Sequence, residues 1–210
     1  QVPVIGIPKT IDNDIDGIDS AIGFDTALNT VVQCIDKLRD TAESHNRMFL
    51  VEVMGREAGF LACYAGLAAA AEGILIPESQ STTAELANTL KNIFSKNHFG
   101  SLIIVVAEGD ENGGVYNISK ELKNYFPKLD FGVCVLGHLQ RGGTPSFYDR
   151  FLGTKLGFVA IDELQKGSKN IMIGYSGHSL VHIPIAEVKR RNLKMQPVIR
   201  QMLNAFAYNG

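Results

Sequence analysis

Short apolar runs alternate with longer amphipathic stretches along most of the chain. The short runs are rich in Val, Ile and Leu, a composition typical of strands buried on both faces of a parallel sheet. The longer stretches repeat apolar residues every three or four positions, which predicts helices. One such series is Phe24, Leu28, Val31, Ile35 and Leu38. Strands that alternate with helices predict an α/β fold with mainly parallel sheets.

The pattern places each predicted element on the sequence. Strands are expected at residues 2–7, 48–53, 73–77, 101–107, 132–136, 171–173 and 180–183. Helices are expected at about residues 24–44, 58–71, 82–96, 119–126, 151–164 and 196–206. The third helix carries a capping-box signal, in which Thr82 is followed three positions later by Glu85.

Composition narrows the classes of function. The chain has 210 residues, of which 45% are hydrophobic and 20% charged, with a net charge of −2. This balance argues against a nucleic-acid or membrane-surface binder, since it provides no basic block. No apolar run approaches the roughly 20 residues that span a bilayer. No charged-then-apolar leader points to export, and the cysteines described below indicate a reducing, cytoplasmic setting.

Two further features concern the chain as a whole. Its three cysteines are far apart and lie in apolar contexts, so buried reduced thiols are expected. The chain opens at Gln1, without Met, and leads at once into a strand. We therefore expect it to be a piece of a longer protein that lacks the N-terminal part.

The segment of residues 8–15 follows the first predicted strand and combines two carboxylates with a cation. Asp12 and Asp14 lie two positions apart, shortly after Lys9 and Thr10. Such a group after a strand suits removal of a proton from a hydroxyl next to a phosphoryl group. It is equally compatible with an Asx-rich turn, because Asn and Asp bond their own backbone. Spacing alone leaves both interpretations open.

Three other polar clusters follow predicted strands. They are residues 54–56, 108–110 and 138–143. Each could be an ordinary turn, a solvated arginine or a helix cap, but parallel connections bring such ends to one crevice. The combined Arg, Lys, His and carboxylate side chains favour an anionic, hydroxylated ligand such as a sugar phosphate. The P-loop, the dinucleotide fingerprint and zinc-ligand spacings are missing from the sequence.

At this point several motifs together resemble those of the 6-phosphofructokinase family. They are Gly6-x-Pro8-x-Thr10-Ile11-Asp12-Asn13-Asp14, Gly23-x-x-Thr26-Ala27, Ser44-His45-x-Arg47, Met54-Gly55-Arg56 and Leu136-Gly137-His138-x-Gln140-Arg141-Gly142-Gly143. The resemblance implies a fold of two interleaved, Rossmann-like, three-layer domains. This chain would correspond to the C-terminal two-thirds of such a protein. Residues 1–22 and 137–190 would belong to the larger, donor-side domain. Residues 23–136 and 191–210 would form the smaller domain that binds much of the sugar phosphate.

The resemblance also implies roles for individual residues. Asp12 would take the proton from the 1-hydroxyl of fructose 6-phosphate, and Thr10 would steady the transferred phosphoryl group. Asp14 would orient Asp12 or a magnesium-bound water, with Lys9 beside them. The substrate-binding residues would be Ile11, Arg47, Met54, Gly55, Arg56, Glu108, His138, Leu139, Gln140 and Arg141. Arg47 would reach in from a neighbouring subunit, so a homo-oligomer, either a dimer or a tetramer, is expected.

The sequence alone does not decide which phosphoryl donor is used or whether the protein is regulated by an effector. ATP is favoured over diphosphate by the short C-terminal region, with Mg²⁺ as cofactor, whereas Lys9 is typical of diphosphate-dependent members and one ATP-using branch. Arg39 and Glu72 match a regulatory nucleotide site, although a structural ion pair is the favoured interpretation. Gly132 stands where many members carry a phosphate-binding Arg. A non-catalytic sugar-phosphate-binding paralogue or regulatory subunit is therefore the alternative. Because the N-terminal part of the family's fold is expected to be missing, this chain alone is expected to be inactive.

Overall fold

The computed structural model describes residues 2–45, 47–79, 81–95, 102–194 and 196–209. Its strands are β1 (Ile5–Gly6), β2 (Met48–Val53), β3 (Gly73–Leu75), β4 (Leu102–Ala107), β5 (Phe131–Val135), β6 (Ile171–Ser176) and β7 (Ser179–Pro184). Its α-helices are α1 (Phe24–His45), α2 (Phe60–Ala68), α3 (Thr83–Ser95), α4 (Val115–Tyr125), α5 (Phe147–Gln165) and α6 (Pro197–Asn209). Short 3₁₀-helices cover Pro77–Ser79, Gly137–Arg141 and Ile185–Glu187.

The strands form two sheets. The larger has the order β3-β4-β2-β5, and all of its neighbouring strands are parallel. The smaller has the order β1-β6-β7, in which β1 and β6 are parallel and β6 and β7 form an antiparallel hairpin. The predicted α/β fold with mainly parallel sheets is confirmed, and this hairpin is its antiparallel component.

The larger sheet is buried on both faces because its strands present apolar side chains to each side. In β4, Ile103 and Val105 pack with α1 and α2, whereas Ile104 and Val106 pack with α3 and α4. All six residues of β4 are buried. The result is a three-layer unit. The smaller sheet is covered by α5, whose Leu152, Leu156 and Ala160 pack around Ile173 of β6.

Helix α6 returns to the larger sheet. Its Ile199 and the preceding Leu193 belong to the same apolar cluster as α1 and α2. The predicted larger domain, residues 1–22 and 137–190, thus contains the smaller sheet. The predicted smaller domain, residues 23–136 and 191–210, contains the larger sheet. The domain boundaries themselves remain a prediction.

Several predicted boundaries were wrong. The first strand covers only two residues, and the helices expected to begin at about 119 and 151 begin at Val115 and Phe147. Gly114, with a φ of 81°, makes the sharp turn into α4. The side chain of Ser146 caps α5 by accepting a hydrogen bond from the N–H of Asp149.

The predicted capping box is confirmed. Thr82 and Glu85 form the reciprocal capping box, with the Glu85 carboxylate accepting from the Thr82 N–H at 2.9 Å. Cys34, Cys63 and Cys134 are all free thiols as predicted, but only Cys63 is buried, whereas Cys34 and Cys134 are half-buried. Burial raises the pKa of Cys63 to about 12, which keeps it protonated. Among the described helices, none has the length and apolar character needed to cross a membrane.

One carboxylate connects three parts of the larger unit. Glu78, in the Pro77–Ser79 helix, accepts hydrogen bonds from the N–H groups of Gly59, before α2, and Leu193, before α6, both at 2.9 Å. Gly59 leaves no room for a side chain, because an added Cβ would lie 2.5 Å from the Glu78 carboxylate. The three segments are therefore fixed to one another by a charged acceptor.

Replacing Glu78 by Ala should destabilise the protein by about 1–3 kcal/mol, because the two backbone N–H groups lose their acceptor. The free energy of unfolding from urea titration measures the effect. The matched control is Glu57→Ala, which removes an exposed glutamate in the same region and should change stability by no more than about 0.5 kcal/mol. Equal effects of the two substitutions would show that Glu78 does not connect these segments.

Candidate functional site

Backbone hydrogen bonds attach the polar loop of residues 8–15 to the start of α1. The N–H of Thr10 donates to the carbonyl of Ile22, and the N–H of Ile22 donates to the carbonyl of Pro8, both at 3.1 Å. Strand β1 ends two residues before this loop. The loop consequently lies at the carboxyl end of a parallel strand, where ligands bind in open α/β sheets.

Asn13 supplies the turn chemistry of this loop. Its φ of 53° lies in the left-handed region. Its side-chain amide accepts from the N–H of Ala21 at 2.9 Å and donates to the carbonyl of Asp19 at 3.0 Å. The Asn13 side chain thus fixes the loop through backbone groups six and eight residues away, which differs from the local bonding of an Asx turn. The carboxylates on either side of it are left for other partners.

Asp12 is buried and only partly paired. Its Oδ1 has no hydrogen-bond partner among the described residues, and its Oδ2 lies 3.6 Å from the Nε of Arg56. The hydroxyl of Thr10 accepts from the N–H of Asp12 at 3.1 Å. Burial, followed by repulsion from Asp14, raises the pKa of Asp12 above its ordinary value of 3.8, although Arg56 opposes the shift. A raised pKa makes the carboxylate a stronger base.

Asp14 occupies a different environment. Its carboxylate lies 3.5 Å from the Nε of Arg190, and its carbonyl accepts from the N–H of Arg191 at 2.7 Å. Ile15 also forms an antiparallel bridge with Arg190. Asp14 thus connects the loop to the segment that follows the smaller sheet.

The turn after β2 is held in an unusual conformation by two side chains. Gly55 and Arg56 have φ values of 148° and 54°. The Oε1 of Glu108 accepts from both of their N–H groups, at 3.2 and 2.7 Å. The Oε1 of Gln140, a fully buried residue, accepts from the N–H of Met54 at 3.1 Å.

These bonds give Glu108 and Gln140 a structural function that the sequence did not predict. Both were expected to bind substrate, and each uses an oxygen to fix the turn that carries Arg56. Gly109 is part of the same arrangement, because an added Cβ would lie 1.9 Å from the Arg56 carbonyl. The clusters after β2, β4 and β5 are therefore in direct contact, as the strand-end pattern predicts.

A cavity of about 550 Å³ lies beside Asp12. Its charged lining residues are four cations and two carboxylates, namely Lys9, Arg56, Arg141, Arg150, Asp12 and Asp149. The other lining residues include Thr10, Ile11, Gly23, Thr26, Gln140, Gly142 and Gly143. A cavity with a cationic excess and glycine-rich backbone is suited to a phosphorylated ligand.

Seven of the predicted site residues line this cavity: Lys9, Thr10, Ile11, Asp12, Arg56, Gln140 and Arg141. Met54, Gly55 and Glu108 are joined to it by the hydrogen bonds of the 54–56 turn. His138 and Leu139 are exposed on the Gly137–Arg141 helix.

Other predicted residues lie elsewhere in the chain. Arg47 precedes β2 and pairs with Asp130 at 2.6 Å, whereas Arg56 follows β2. The six residues of that strand separate the two ends by about 20 Å, so Arg47 is remote from the cavity of its own chain. Arg39 and Glu72 form an ion pair at 3.0 Å, as the structural interpretation expects.

Glu72 also supports the sheet, because its other carboxylate oxygen accepts from the N–H of Ile103 at 2.7 Å. Arg39 donates to the carbonyls of Ala69 and Ala70, both at 3.0 Å. At Gly132, an added Cβ would lie 2.4 Å from the Phe49 ring. The position that carries an arginine in many members of the family is thus filled by a neighbouring aromatic ring in this chain.

The lining residues to which the sequence assigned no role include Thr26, Asp149 and Arg150. Asp149 is 3% exposed and accepts hydrogen bonds from Gly23 and Thr26. The Ser146-x-x-Asp149 spacing is a capping signal that locates the start of α5. It gives no indication that the carboxylate bonds α1, because those partners lie 123 and 126 residues away along the chain.

Comparison with known proteins adds independent information. A family model described as Phosphofructokinase matches residues 1–164. ATP-dependent 6-phosphofructokinase 2 of Bacteroides thetaiotaomicron is 45% identical over 204 residues, which are 97% of this chain and 61% of that protein. ATP-dependent 6-phosphofructokinase of Natranaerobius thermophilus is 49% identical over 187 residues, which are 89% of this chain and 57% of that protein.

Solved structures agree on the fold. The structure of phosphofructokinase from Saccharomyces cerevisiae matches with a TM-score of 0.80 and 34% identity, covering 89% of this chain and 26% of that one. A pyrophosphate-dependent phosphofructokinase from Marinobacter aquaeolei matches with a TM-score of 0.81 and 20% identity, covering 98% and 60%, and this likeness concerns the fold alone. The chain spans about 60% of the length of the curated relatives described above. The resemblance seen in the sequence motifs is confirmed, and the chain belongs to the phosphofructokinase family.

Proposed function

We propose that the full-length protein is a 6-phosphofructokinase that transfers the terminal phosphoryl group of ATP to the 1-hydroxyl of fructose 6-phosphate. One observation carries the proposal: the Oδ1 of Asp12 is buried and unpartnered among the described residues, beside a cavity lined by cations. A buried acceptor without a donor is costly for folding. We expect a substrate hydroxyl in the cavity to donate to the Asp12 carboxylate, which lines it.

Different residues around the cavity would act on different parts of the substrate. Arg141, with His138 on the same short helix, would hold the 6-phosphate, since a guanidinium forms forked bonds to phosphate oxygens. Asp12 would accept the proton of the 1-hydroxyl as that oxygen attacks the terminal phosphorus of ATP, whose bond to the bridging oxygen breaks so that ADP leaves. Arg56 would stabilise the negative charge nearby, and Thr10 would orient the transferred group. Catalysis of this type depends on positioning and charge stabilisation.

The identity of the donor is a choice between two candidates. ATP is supported by the names of relatives that are 45–49% identical to this chain. Diphosphate is the second candidate, because Lys9 lines the cavity and its charge would compensate the charge of a compact donor. We favour ATP, since the similarity to these two relatives covers 97% and 89% of the chain.

Mg²⁺ is part of the proposal through the donor. The described residues contain no group of three or more His, Cys, Asp or Glu that would hold a metal ion. Asp14, the expected ligand through water, lies against Arg190 and is absent from the lining of the cavity. In phosphoryl-transfer enzymes Mg²⁺ is commonly held by one or two carboxylates together with substrate phosphates, so we expect it to enter with the donor.

Assembly and regulation remain proposals that rest on the family. Arg47 would complete the site of a neighbouring subunit in a dimer or tetramer. Its separation from the cavity of its own chain, and its half-exposed side chain, support this expectation. Arg39 and Glu72 would contribute to an effector site only if a ligand replaced their mutual ion pair.

A non-catalytic paralogue is the alternative from a different class. Gly132 favours it, since the phosphate-binding arginine expected there is missing. The partly unpaired Asp12 opposes it. A protein that only binds sugar phosphate would gain stability by pairing or replacing a buried carboxylate.

The first prediction concerns the reaction itself. The full-length protein, supplied with Mg²⁺, fructose 6-phosphate and ATP, should form fructose 1,6-bisphosphate, and diphosphate should be used at least 10-fold less efficiently. This chain alone should give no turnover, because it covers about 60% of its relatives. Coupled assays of kcat/KM with each donor test both statements. Turnover by this chain alone would contradict the expected inactivity. A preference for diphosphate would contradict the choice of ATP as donor.

The second prediction concerns Asp12. In the full-length protein, Asp12→Asn should lower kcat by about 10²–10⁴-fold, the usual contribution of a general base. Because the folded-state pKa is raised, ionisation of Asp12 lowers stability as the pH rises above the unfolded-state pKa of about 3.9, and the loss is complete once the pH exceeds the folded-state pKa. The variant should therefore have the higher Tm at pH 7, and the difference should disappear towards about pH 4. Calorimetry at several pH values measures the Tm.

The matched control for this prediction is Asp16→Asn, an exposed aspartate four positions further along. It should leave both kcat and Tm close to wild type. An Asp12→Asn protein that is fully active would remove the base from the mechanism.

The third prediction concerns pH. The acid limb of log kcat/KM should titrate above the ordinary aspartate pKa of about 3.9, because burial of Asp12 raises its pKa. Arg56→Gln should move this limb to still higher pH, since Arg56 lowers the Asp12 pKa. Arg150→Gln is the control: it removes a cation from the same cavity, and the charges acting on Asp12 are those of Asp14, Arg56, Arg141 and Glu108. Equal shifts for both variants would show that the limb does not report Asp12.

A further inference from the structure

We propose that Asp149 is a positioning residue that sets the separation between the catalytic loop (residues 8–15) and the phosphate loop (residues 137–145). This inference rests on the proposed function, since it concerns the geometry of that reaction. Asp149 lies in the first turn of α5 and is 3% exposed. Its carboxylate belongs to the lining of the cavity.

The carboxylate is bound by the start of another helix. Its Oδ1 accepts from the N–H of Gly23 at 2.9 Å, and its Oδ2 accepts from the N–H and the hydroxyl of Thr26 at 2.8 and 2.5 Å. Gly23 and Thr26 lie at the N-terminus of α1. A carboxylate is favoured there by the unpaired N–H groups and by the helix dipole.

Gly23 follows directly on a residue that is bonded to the catalytic loop. Ile22 exchanges hydrogen bonds with Pro8 and Thr10 on either side of Lys9. Any displacement of the Gly23 N–H therefore moves Thr10, and with it the hydroxyl that accepts from the N–H of Asp12. Asp149 reaches the reacting carboxylate through this chain of contacts.

The same network extends to the phosphate loop. The hydroxyl of Thr26 accepts from the N–H of Ser146 at 3.0 Å, and Ser146 in turn caps α5. Ser146 follows Pro145, which with Gly142 and Gly143 lines the cavity next to Arg141. The carboxylate of Asp149 and the hydroxyl of Thr26 are therefore the junction between the two loops.

This junction has a consequence for catalysis. Arg141 and Asp12 face the same cavity from different loops, and the substrate must be held at one end while it reacts at the other. A change of about 1 Å in such a distance lowers rates by up to about 100-fold with little loss of binding. Loosening the junction should therefore reduce kcat more than it reduces affinity for the sugar phosphate.

The variants that test the junction are Thr26→Val and Thr26→Ser in the full-length protein. Val has the shape of Thr but neither donates to Asp149 nor accepts from Ser146, whereas Ser retains both bonds. Neither variant removes the backbone bonds that cap α1, so the fold should be retained. We expect kcat for phosphorylation of fructose 6-phosphate to fall about 10-fold or more in Thr26→Val and less than 2-fold in Thr26→Ser. KM for fructose 6-phosphate should change less than about 3-fold in both.

Asp149→Asn provides the second measurement, with Asp162→Asn as its control. Asp162 lies on the same helix but is partly exposed and pairs with Lys166. Asp149→Asn should lower kcat by about 10–100-fold at a similar KM, and Asp162→Asn should leave kcat unchanged.

The outcomes separate the two proposals. If Thr26→Val and Thr26→Ser have equal kcat, or if KM rises in place of a fall in kcat, the positioning role is overturned. Wild-type protein that fails to phosphorylate fructose 6-phosphate would instead overturn the proposed function. If Asp149→Asn does not fold, the Thr26 pair decides alone.

Discussion

A buried carboxylate oxygen without a donor is the constraint around which this site is built. Asp12 is 5% exposed, and its Oδ1 has no partner in the described part of the chain. Burying a charge without full pairing opposes folding, and the Asp14 charge adds repulsion. The conformation must therefore be maintained by contacts elsewhere. Catalytic groups are often held in this way, because the strained arrangement is the one that meets the substrate.

Those contacts come from residues that do not react. Asn13 fixes the loop of residues 8–15 through a hydrogen bond to its side-chain amide, and the Asp14 carboxylate is paired with Arg190. Glu108 and Gln140 hold the turn that presents Arg56. The polar side chains near the cavity therefore divide into those that shape the backbone and those left to bind a ligand. The division explains why polar side chains beside the cavity direct their hydrogen bonds to the backbone.

Much of this arrangement could be predicted from the sequence. The continuous Val and Ile run of β4 indicated a strand buried on both faces, and its six buried residues agree. The polar clusters after β1, β2, β4 and β5 were expected to meet, because the carboxyl ends of parallel strands share a crevice. The alternation of strands and helices and the positions of the polar clusters follow from the spacing of residues, which can be read directly from the sequence.

Other features depend on contacts that spacing does not encode. The two carboxylates of residues 8–15 have the same chemistry and lie two positions apart. Only the three-dimensional environment leaves one oxygen of Asp12 without a hydrogen-bond partner among the described residues and pairs Asp14 with Arg190. The partners of Asp149 lie more than 120 residues away. The early starts of α4 and α5 depend on Gly114 and Ser146, whose backbone conformations end one segment and begin the next.

The most direct test of the account is a crystal structure of the full-length protein with bound fructose 6-phosphate. We expect the 6-phosphate to contact Arg141 and the sugar 1-hydroxyl to lie within about 3.2 Å of a carboxylate oxygen of Asp12. Binding of the sugar phosphate elsewhere, for example beside Arg39 and Glu72, would contradict it. So would a bound sugar whose 1-hydroxyl lies beyond hydrogen-bond distance of the Asp12 carboxylate.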